Sequence, residues 1–317
     1  MLSLVLSRLG QTAIVLLIMS FVVYGLIGLM PGDPIDLMIS ADPQLTAADA
    51  QRLKALYGLD RPLYERWLNW LGNALSGDFG YSRLYASPVV EVLGPALVNT
   101  LKLLGASLLL SLAIALPAGI VAALRPYSLR DYVINLVAFA GISIPVFWLA
   151  LLLIVVFAVI LGVLPAGGTG TLEAEGFWEG LKYLVLPVAT LTMVSVGGHT
   201  RYIRGALLEV LRQDYIRTAR AKGASPRRIV LKHALRNALI PVVTILALEF
   251  GTLFSGALIT ETVFAWPGMG RLIFDAMMGN DFNLALIALL LATLVTLTGN
   301  LVADLSYAWL DPRISYR

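Results

Sequence analysis

An all-α integral membrane protein with about six transmembrane helices is the fold class this sequence predicts, and three observations predict it. Of the 317 residues, 58% are hydrophobic and 14% charged, where a soluble domain of this size carries about 25% charged residues. Mean hydropathy is +0.82. The apolar residues gather into runs of roughly 20, the length a helix needs to cross a hydrocarbon core. Inside that core every backbone N–H and C=O needs a partner within the segment, which a helix supplies.

The same composition narrows the chemistry. There is no cysteine, so disulfides, thiolate metal sites and cysteine nucleophiles are excluded. His199 and His233 are too few and too far apart to suggest a metal centre. No phosphate-binding loop, GxSxG or HExxH occurs. The sequence therefore predicts no enzyme, and no cofactor bound by this chain.

The first apolar run covers 12–30. It is long for a signal segment and is followed by Pro31-Gly32-Asp33-Pro34, which is no small-residue cleavage site, so it reads as a retained span. The longest polar stretch, 33–98, combines turn signals such as Gly58-Leu59-Asp60-Arg61-Pro62 with an amphipathic piece at 64–75. Tyr64, Trp67 and Trp70 there suit a membrane interface. This stretch reads as an extracytoplasmic subdomain. Further spans fall at about 101–124, 134–161, 183–198, 238–264 and 284–308. Three segments result: an N-terminal transmembrane helix over 1–32, the subdomain over 33–98 and a five-helix core over 99–317.

Basic residues set the direction. With both ends on one side, the N-terminus, the 125–131 loop, the 201–236 loop and the C-terminus hold 15 of the 23 Lys and Arg residues. Basic loops stay on the cytoplasmic side, which places both termini there and 33–98 outside.

The 201–236 loop is the most informative segment. Ala206 to Lys222 reads as one helix with Leu207, Leu208, Val210 and Leu211 on its apolar face. Gly223 stops it, because glycine adopts the left-handed conformation past a helix end at no steric cost. Ser225 offers an N-cap hydroxyl and Pro226 fits the first helical position of a second helix. Small residues around the turn (Ala219, Ala221, Gly223, Ala224) admit a close partner surface. Arg217, Arg220, Arg227 and Arg228 are placed to pair with acids on it. A DNA-binding helix-turn-helix would share this outline, but spans on both flanks hold the unit against the bilayer, so no nucleic acid partner is expected.

The stretches Asp214-Tyr215-Ile216-Arg217-Thr218-Ala219-Arg220-Ala221-Lys222-Gly223 and His233-Ala234-Leu235-Arg236-Asn237-Ala238-Leu239-Ile240-Pro241 resemble the signature loop of permeases from binding-protein-dependent ABC importers. More narrowly, the chain is similar to the first of the two permease subunits of dipeptide and oligopeptide systems. The resemblance includes Pro31-Gly32-Asp33-Pro34 and Gly77-Asp78-Phe79-Gly80. It continues through Thr260-Glu261-Thr262-Val263-Phe264-Ala265-Trp266-Pro267-Gly268-Met269-Gly270-Arg271 and Leu310-Asp311-Pro312-Arg313. The general permease loop carries Glu-Ala-Ala ahead of its glycine; here Arg217 and Thr218 stand at the first two positions, and Ala219 and Gly223 match.

The resemblance implies the type I ABC importer permease fold in a bacterial or archaeal cytoplasmic membrane. It implies four kinds of partner: a homologous second permease, two cytoplasmic ATPase subunits that carry ATP and Mg, an extracytoplasmic substrate-binding protein, and membrane lipid. Dipeptides, longer peptides, glutathione and nickel chelates are the cargoes of such permeases. Arg217, Thr218, Ala219, Arg220, Lys222, Gly223, Ala224, Ser225, Pro226 and Arg227 are the expected ATPase-docking residues. Glu249, near mid-span where an ionised group is costly, is a candidate pathway residue. Glu261, Trp266, Pro267, Gly268 and Gly270 are candidates for an outer gate or a binding-protein contact. The rival class is a self-contained ion-coupled secondary transporter, which would show paired broken helices in two repeated halves; no convincing internal repeat is present.

Overall fold

The computed structural model describes residues 2–29, 52, 60–169 and 177–310. The motifs 31–34 and 311–313 and the 30–51 and 53–59 parts of the outer stretch lie outside the described residues. In chain order the elements are α1 (Leu2–Gly28), α2 (Leu63–Leu75), a hairpin of β1 (Tyr81–Ser82) and β2 (Ser87–Pro88), α3 (Val89–Leu124), α4 (Leu129–Ser143) and α5 (Val146–Leu153). Then come α6 (Phe177–Leu211), α7 (Asp214–Ala221), α8 (Pro226–Arg228), α9 (Leu235–Val263), α10 (Met269–Met278) and α11 (Phe282–Leu310). Two π-helical segments extend neighbours: Ile154–Ile160 continues α5, and Ile229–Ala234 joins α8 to α9.

Four helices are long and apolar enough to cross a membrane among the described residues, and α4 with α5 and its π-helical extension forms a bent pair that makes a fifth. The sixth expected span is α9, at 29 residues; a helix of that length reaches about 40 Å. Large apolar side chains cover the outside of these helices, Leu136 and Val159 each at 71% exposure. In water such a surface would be untenable; in lipid it is the solvated face.

The span expected at 134–161 is not one straight helix. Leu129–Ser143 and Val146–Ile160 meet at 97°. Pro145 is the cause: it has no N–H to donate and it pushes the preceding residue out of the helical region, and Ile144 is extended at φ −84°, ψ 125°. The expected short span at 183–198 is the middle of α6, a 35-residue helix that contains Pro187 and runs on to Leu211.

The chain divides into two compact units: Leu97–Arg271 with the two chain ends, and Val5–Ala96 with Leu272–Leu294. In the larger unit α6 is the central element and packs on α4 and α9. Glycine permits the closest approach. A Cβ on Gly197 would lie 2.3 Å from the carbonyl oxygen of Ala138, and one on Gly141 would lie 2.7 Å from that of Met193. Neither position accepts a larger residue without separating α4 from α6.

In the smaller unit α2 lies along α1. Trp67 donates from Nε1 to Ser20 Oγ at 3.2 Å, and its ring meets Phe21 edge-on at 5.3 Å. Tyr24 and Trp70 stack at a tilt, 6.0 Å apart. The amphipathic piece read from sequence is therefore a helix with its aromatics turned onto the first span, while Tyr64 is exposed. The β-hairpin pairs Tyr81 with Pro88 and Ser82 with Ser87. Asp281 holds it: its Oδ2 accepts from Ser82 Oγ at 2.6 Å and from the Leu84 N–H at 3.0 Å.

Candidate functional site: the basic hairpin and its supports

The helix expected over Ala206 to Lys222 is two helices. α6 ends at Leu211, Gln213 is extended at φ −71°, ψ 151°, and α7 starts at Asp214. The reason is burial. Ile216 is 0% exposed, packed with Ala123, Leu207, Ile229, Ala234 and Ala238, and folding back an eight-residue helix brings it there. Leu208, Val210 and Leu211 are partly buried against the same cluster, so the apolar face inferred from the pattern is real although the helix is broken.

The turn after α7 is a Schellman motif. Gly223 has φ +77°. Its N–H donates to Arg220 O at 3.0 Å, and the Ala224 N–H donates to Ala219 O at 3.1 Å, the paired bonds that satisfy the last carbonyls of a helix. Ser225 then caps α8, its Oγ accepting from the Arg228 N–H at 3.4 Å, with Pro226 at the first helical position. Stop and start signals both stand where the sequence places them.

None of the ten residues expected to dock is buried: Arg217, Thr218, Arg220, Lys222, Gly223, Ser225, Pro226 and Arg227 are exposed, and Ala219 and Ala224 half-buried. Arg217 pairs with Asp214 on the same exposed face, a kind of pair that contributes little in water. Tyr215 Oη accepts from Asn237 Nδ2 at 2.9 Å, which ties α7 to α9. The hairpin is thus apolar inside, basic outside, continuous with α9 on one arm and folded back on α6 at the other.

Sequence reading missed a support for this hairpin. Arg204 on α6 donates from Nε to Asp131 Oδ1 and from Nη2 to Asp131 Oδ2, both at 2.7 Å. Asp131 also accepts from the Tyr127 N–H at 2.8 Å and from Asn135 Nδ2 at 2.6 Å. The Arg204 guanidinium holds the Asp131 carboxyl below its ordinary value, helped by the Tyr127 N–H against the opposing effect of burial. Asp131 in turn raises Arg204. Both charges are needed to keep this site satisfied.

At the other end of α9 the Glu261 carboxylate is 0% exposed. Its Oε1 accepts from Thr100 Oγ1 at 2.6 Å, and its Oε2 accepts from the N–H groups of Gly270 at 2.8 Å and Arg271 at 3.1 Å. Thr100 Oγ1 also accepts from the Met269 N–H at 2.7 Å. Together they cap the start of α10. Trp266 is 3% exposed and donates from Nε1 to Asn99 O at 3.2 Å. A Cβ on Gly268 would lie 2.1 Å from Glu261 Oε1, and one on Gly270 2.5 Å from Leu258 Cα. Of the five residues expected at an outer gate or contact, Pro267 alone is exposed; Glu261, Trp266, Gly268 and Gly270 form the interior of a clamp.

Glu249 lies on α9, but its side chain falls outside the described residues. One further buried ionisable group passed unread: His199 Nδ1 is 2.7 Å from Ser111 Oγ, joining α6 to α3. Among the described residues no cluster of three or more His, Cys, Asp or Glu could hold a metal.

Comparison with known proteins agrees with this architecture. The oligopeptide transport system permease protein AppB of Bacillus subtilis is 43% identical over 288 residues, covering 90% of each chain. The di/tripeptide transport system permease protein DppB of Pseudomonas aeruginosa is 38% identical, and the glutathione transport system permease protein GsiC of Escherichia coli is 38% identical, each alignment covering both chains in full. Among solved structures, an inward-facing crystal form of the MetNI methionine ABC transporter superposes with a TM-score of 0.58 at 21% identity, covering 70% of this chain and 97% of that one; at that identity it supports the fold. Residues 115–316 match the family model for the inner membrane component of binding-protein-dependent transport systems, and residues 1–97 match the model for its N-terminal part. With all-α spans, a basic hairpin and relatives that are permease subunits rather than enzymes, the chain belongs to the family of binding-protein-dependent transport system inner membrane components.

Proposed function

We propose that this chain is the first permease subunit of an ATP-driven peptide importer and forms half of its translocation pathway. A homologous second permease supplies the other half, an extracytoplasmic binding protein delivers the cargo, and two ATPase subunits carrying ATP and Mg act from the cytoplasm. Relatives named for oligopeptide, di/tripeptide and glutathione transport support small peptides as the cargo class. Both termini face the cytoplasm, with the 1–32 span, the 33–98 outer subdomain and the 99–317 core arranged as the basic loops require.

The observation that carries this reading is the exposed turn at Gly223, joined without a gap to α9 on one side and, through the fold-back that buries Ile216, to α6 on the other. α6 arrives from the bilayer, and Pro226 through Val263 is helical without a gap on the other side. A push on Arg217, Thr218, Ala219, Arg220, Lys222, Gly223, Ala224, Ser225, Pro226 or Arg227 therefore moves α9 directly and reaches α6 through the packing of Ile216 on Leu207. Asp131 and Arg204 extend that motion to α4. ATP and the loaded binding protein bias the two arrangements of the spans from opposite sides, each through its differential affinity for one of them.

The test is Gly223→Glu in membrane vesicles holding the whole transporter. The expected result is loss of ATPase co-purification and of labelled dipeptide uptake, with normal insertion of the permease. Full association and uptake would overturn the docking assignment.

A further inference from the structure

We infer that an acyl chain of a bilayer phospholipid occupies an apolar cavity of about 570 Å³ in the smaller unit, enclosed by α1, α2, α3 and α11. Leu16, Trp70, Phe79, Leu93, Gly94 and Leu290 are among its walls. The hydroxyl of Ser20, which also faces it, is already engaged: it donates to Leu17 O at 2.7 Å and accepts from Trp67 Nε1 at 3.2 Å. The wall therefore presents hydrocarbon.

That chemistry selects the occupant. A water molecule needs two to four polar partners, and the wall supplies at most one, the buried Trp70 Nε1, which has no partner among the described residues. A peptide segment would bring N–H and C=O groups that the wall leaves unpaired, at a large desolvation cost. An empty space would forfeit the dispersion contacts of everything lining it. Hydrocarbon satisfies all three conditions.

The source follows from where the cavity opens. Leu17, Leu75, Val90 and Leu294 line it and are themselves exposed, at 47%, 81%, 54% and 40%. From that rim the surface continues along α1 through Ile14 and Ile18, exposed at 60% and 56%. On α1 this is the lipid-facing side of a membrane span, while the walls between Trp70 and Gly94 belong to the 33–98 stretch packed on it, so the cavity opens where the lipid contact meets that stretch. Its size lies within the range of roughly 300–1,000 Å³ typical of pre-formed ligand sites. The bound chain completes the packing of α2 on α1.

The experiment uses the whole transporter with its partner subunits, in nanodiscs of phosphatidylcholine bearing a photoactivatable diazirine on one acyl chain. Cross-linked peptides are mapped by mass spectrometry. Peptides containing Leu16 and Leu93 are expected to label several-fold more than the open face of α4 at Leu136 and Val137. Gly94→Phe is expected to remove that excess and leave α4 labelling unchanged. A Cβ at Gly94 meets nothing within 4 Å, so the ring enters open space. Ala13→Phe, another wall position, provides a second filling variant with the same expected loss. Labelling no higher than on α4, an excess that survives both filled variants, or a Leu17→Cys cross-link to the second permease across the mouth would each overturn the assignment.

Discussion

Arg204 meets Asp131 through two parallel hydrogen bonds of 2.7 Å, across 73 positions of sequence. The pair joins the C-terminal part of α6 to the first turn of α4. Side-chain exposure is 21% for Arg204 and 4% for Asp131, so the attraction is only partly screened by solvent. Removing Arg204 leaves a buried carboxylate without its counter-charge, and removing Asp131 leaves a largely buried guanidinium without its own. Asp131→Ala and Arg204→Ala are each expected to cost about 2–3 kcal/mol, the range for hydrogen bonds to charged groups. The double variant should cost less than their sum. Thermal unfolding of the purified protein, arranged as a double-mutant cycle, measures the coupling, and simple additivity would show that the contact contributes nothing.

The same pair sets a pH window. The ordinary carboxyl value is near 3.8, and Asp131 is held below it by Arg204. A carboxylate with a depressed folded value stabilises the protein above its unfolded value and loses that contribution as pH falls through the folded one. The difference in melting temperature between the protein and Asp131→Asn should therefore be the same at pH 7 and pH 5. It should shrink only when the medium is more acidic than the ordinary value. A difference that faded between pH 7 and pH 5 would contradict the depressed carboxyl.

Glu261 provides a third prediction. Glu261→Ala leaves the Thr100 hydroxyl and the N–H groups of Gly270 and Arg271 without their acceptor, at about 1–3 kcal/mol for each buried group left unpaired. Glu261→Gln keeps one acceptor oxygen and should be distinctly milder. Melting curves of the two variants side by side decide the matter. Equal losses would mean that the negative charge, and not the acceptor geometry, holds the clamp.

The turn at Gly223 separates shape from space. A Cβ there meets nothing within 4 Å, yet φ is +77°. Asparagine tolerates that backbone region and β-branched residues do not. Gly223→Asn is expected to retain ATPase association in a pull-down, whereas Gly223→Val loses most of it. If both variants bind alike, the backbone conformation of the turn is irrelevant to docking.

The spans and the turn were legible because their signals are local: apolar run length, Gly223 at a helix end, and Ser225-Pro226 at a helix start. The break at Arg212 and Gln213 carried no such signal. No glycine or proline marks it, and it exists because Ile216 has a buried place to reach. The bend at Ile144 was half legible, since Pro145 announces a kink but not a 97° corner. Asp131 with Arg204 and Glu261 with Thr100 were illegible as pairs, because their partners lie 73 and 161 positions away. Glu261 stands out in the sequence only as part of the 260–271 stretch that resembles the family, as a candidate for an outer gate or a binding-protein contact. Its burial depends on backbone N–H groups, which every residue type shares and which therefore leave no trace in composition.

The π-helical stretch Ile229–Ala234 lies between the docking turn and the 29 residues of Leu235–Val263. A π turn closes over one more residue than an α turn, and one residue corresponds to about 100° of rotation around a helix. The stripe that this span shows to its neighbours is thus aimed by six residues that precede it. A one-residue deletion that restored plain α winding would leave the downstream rod at its present bearing, whereas α winding of the same six residues at unchanged length would swivel it about its axis with every spanning residue intact.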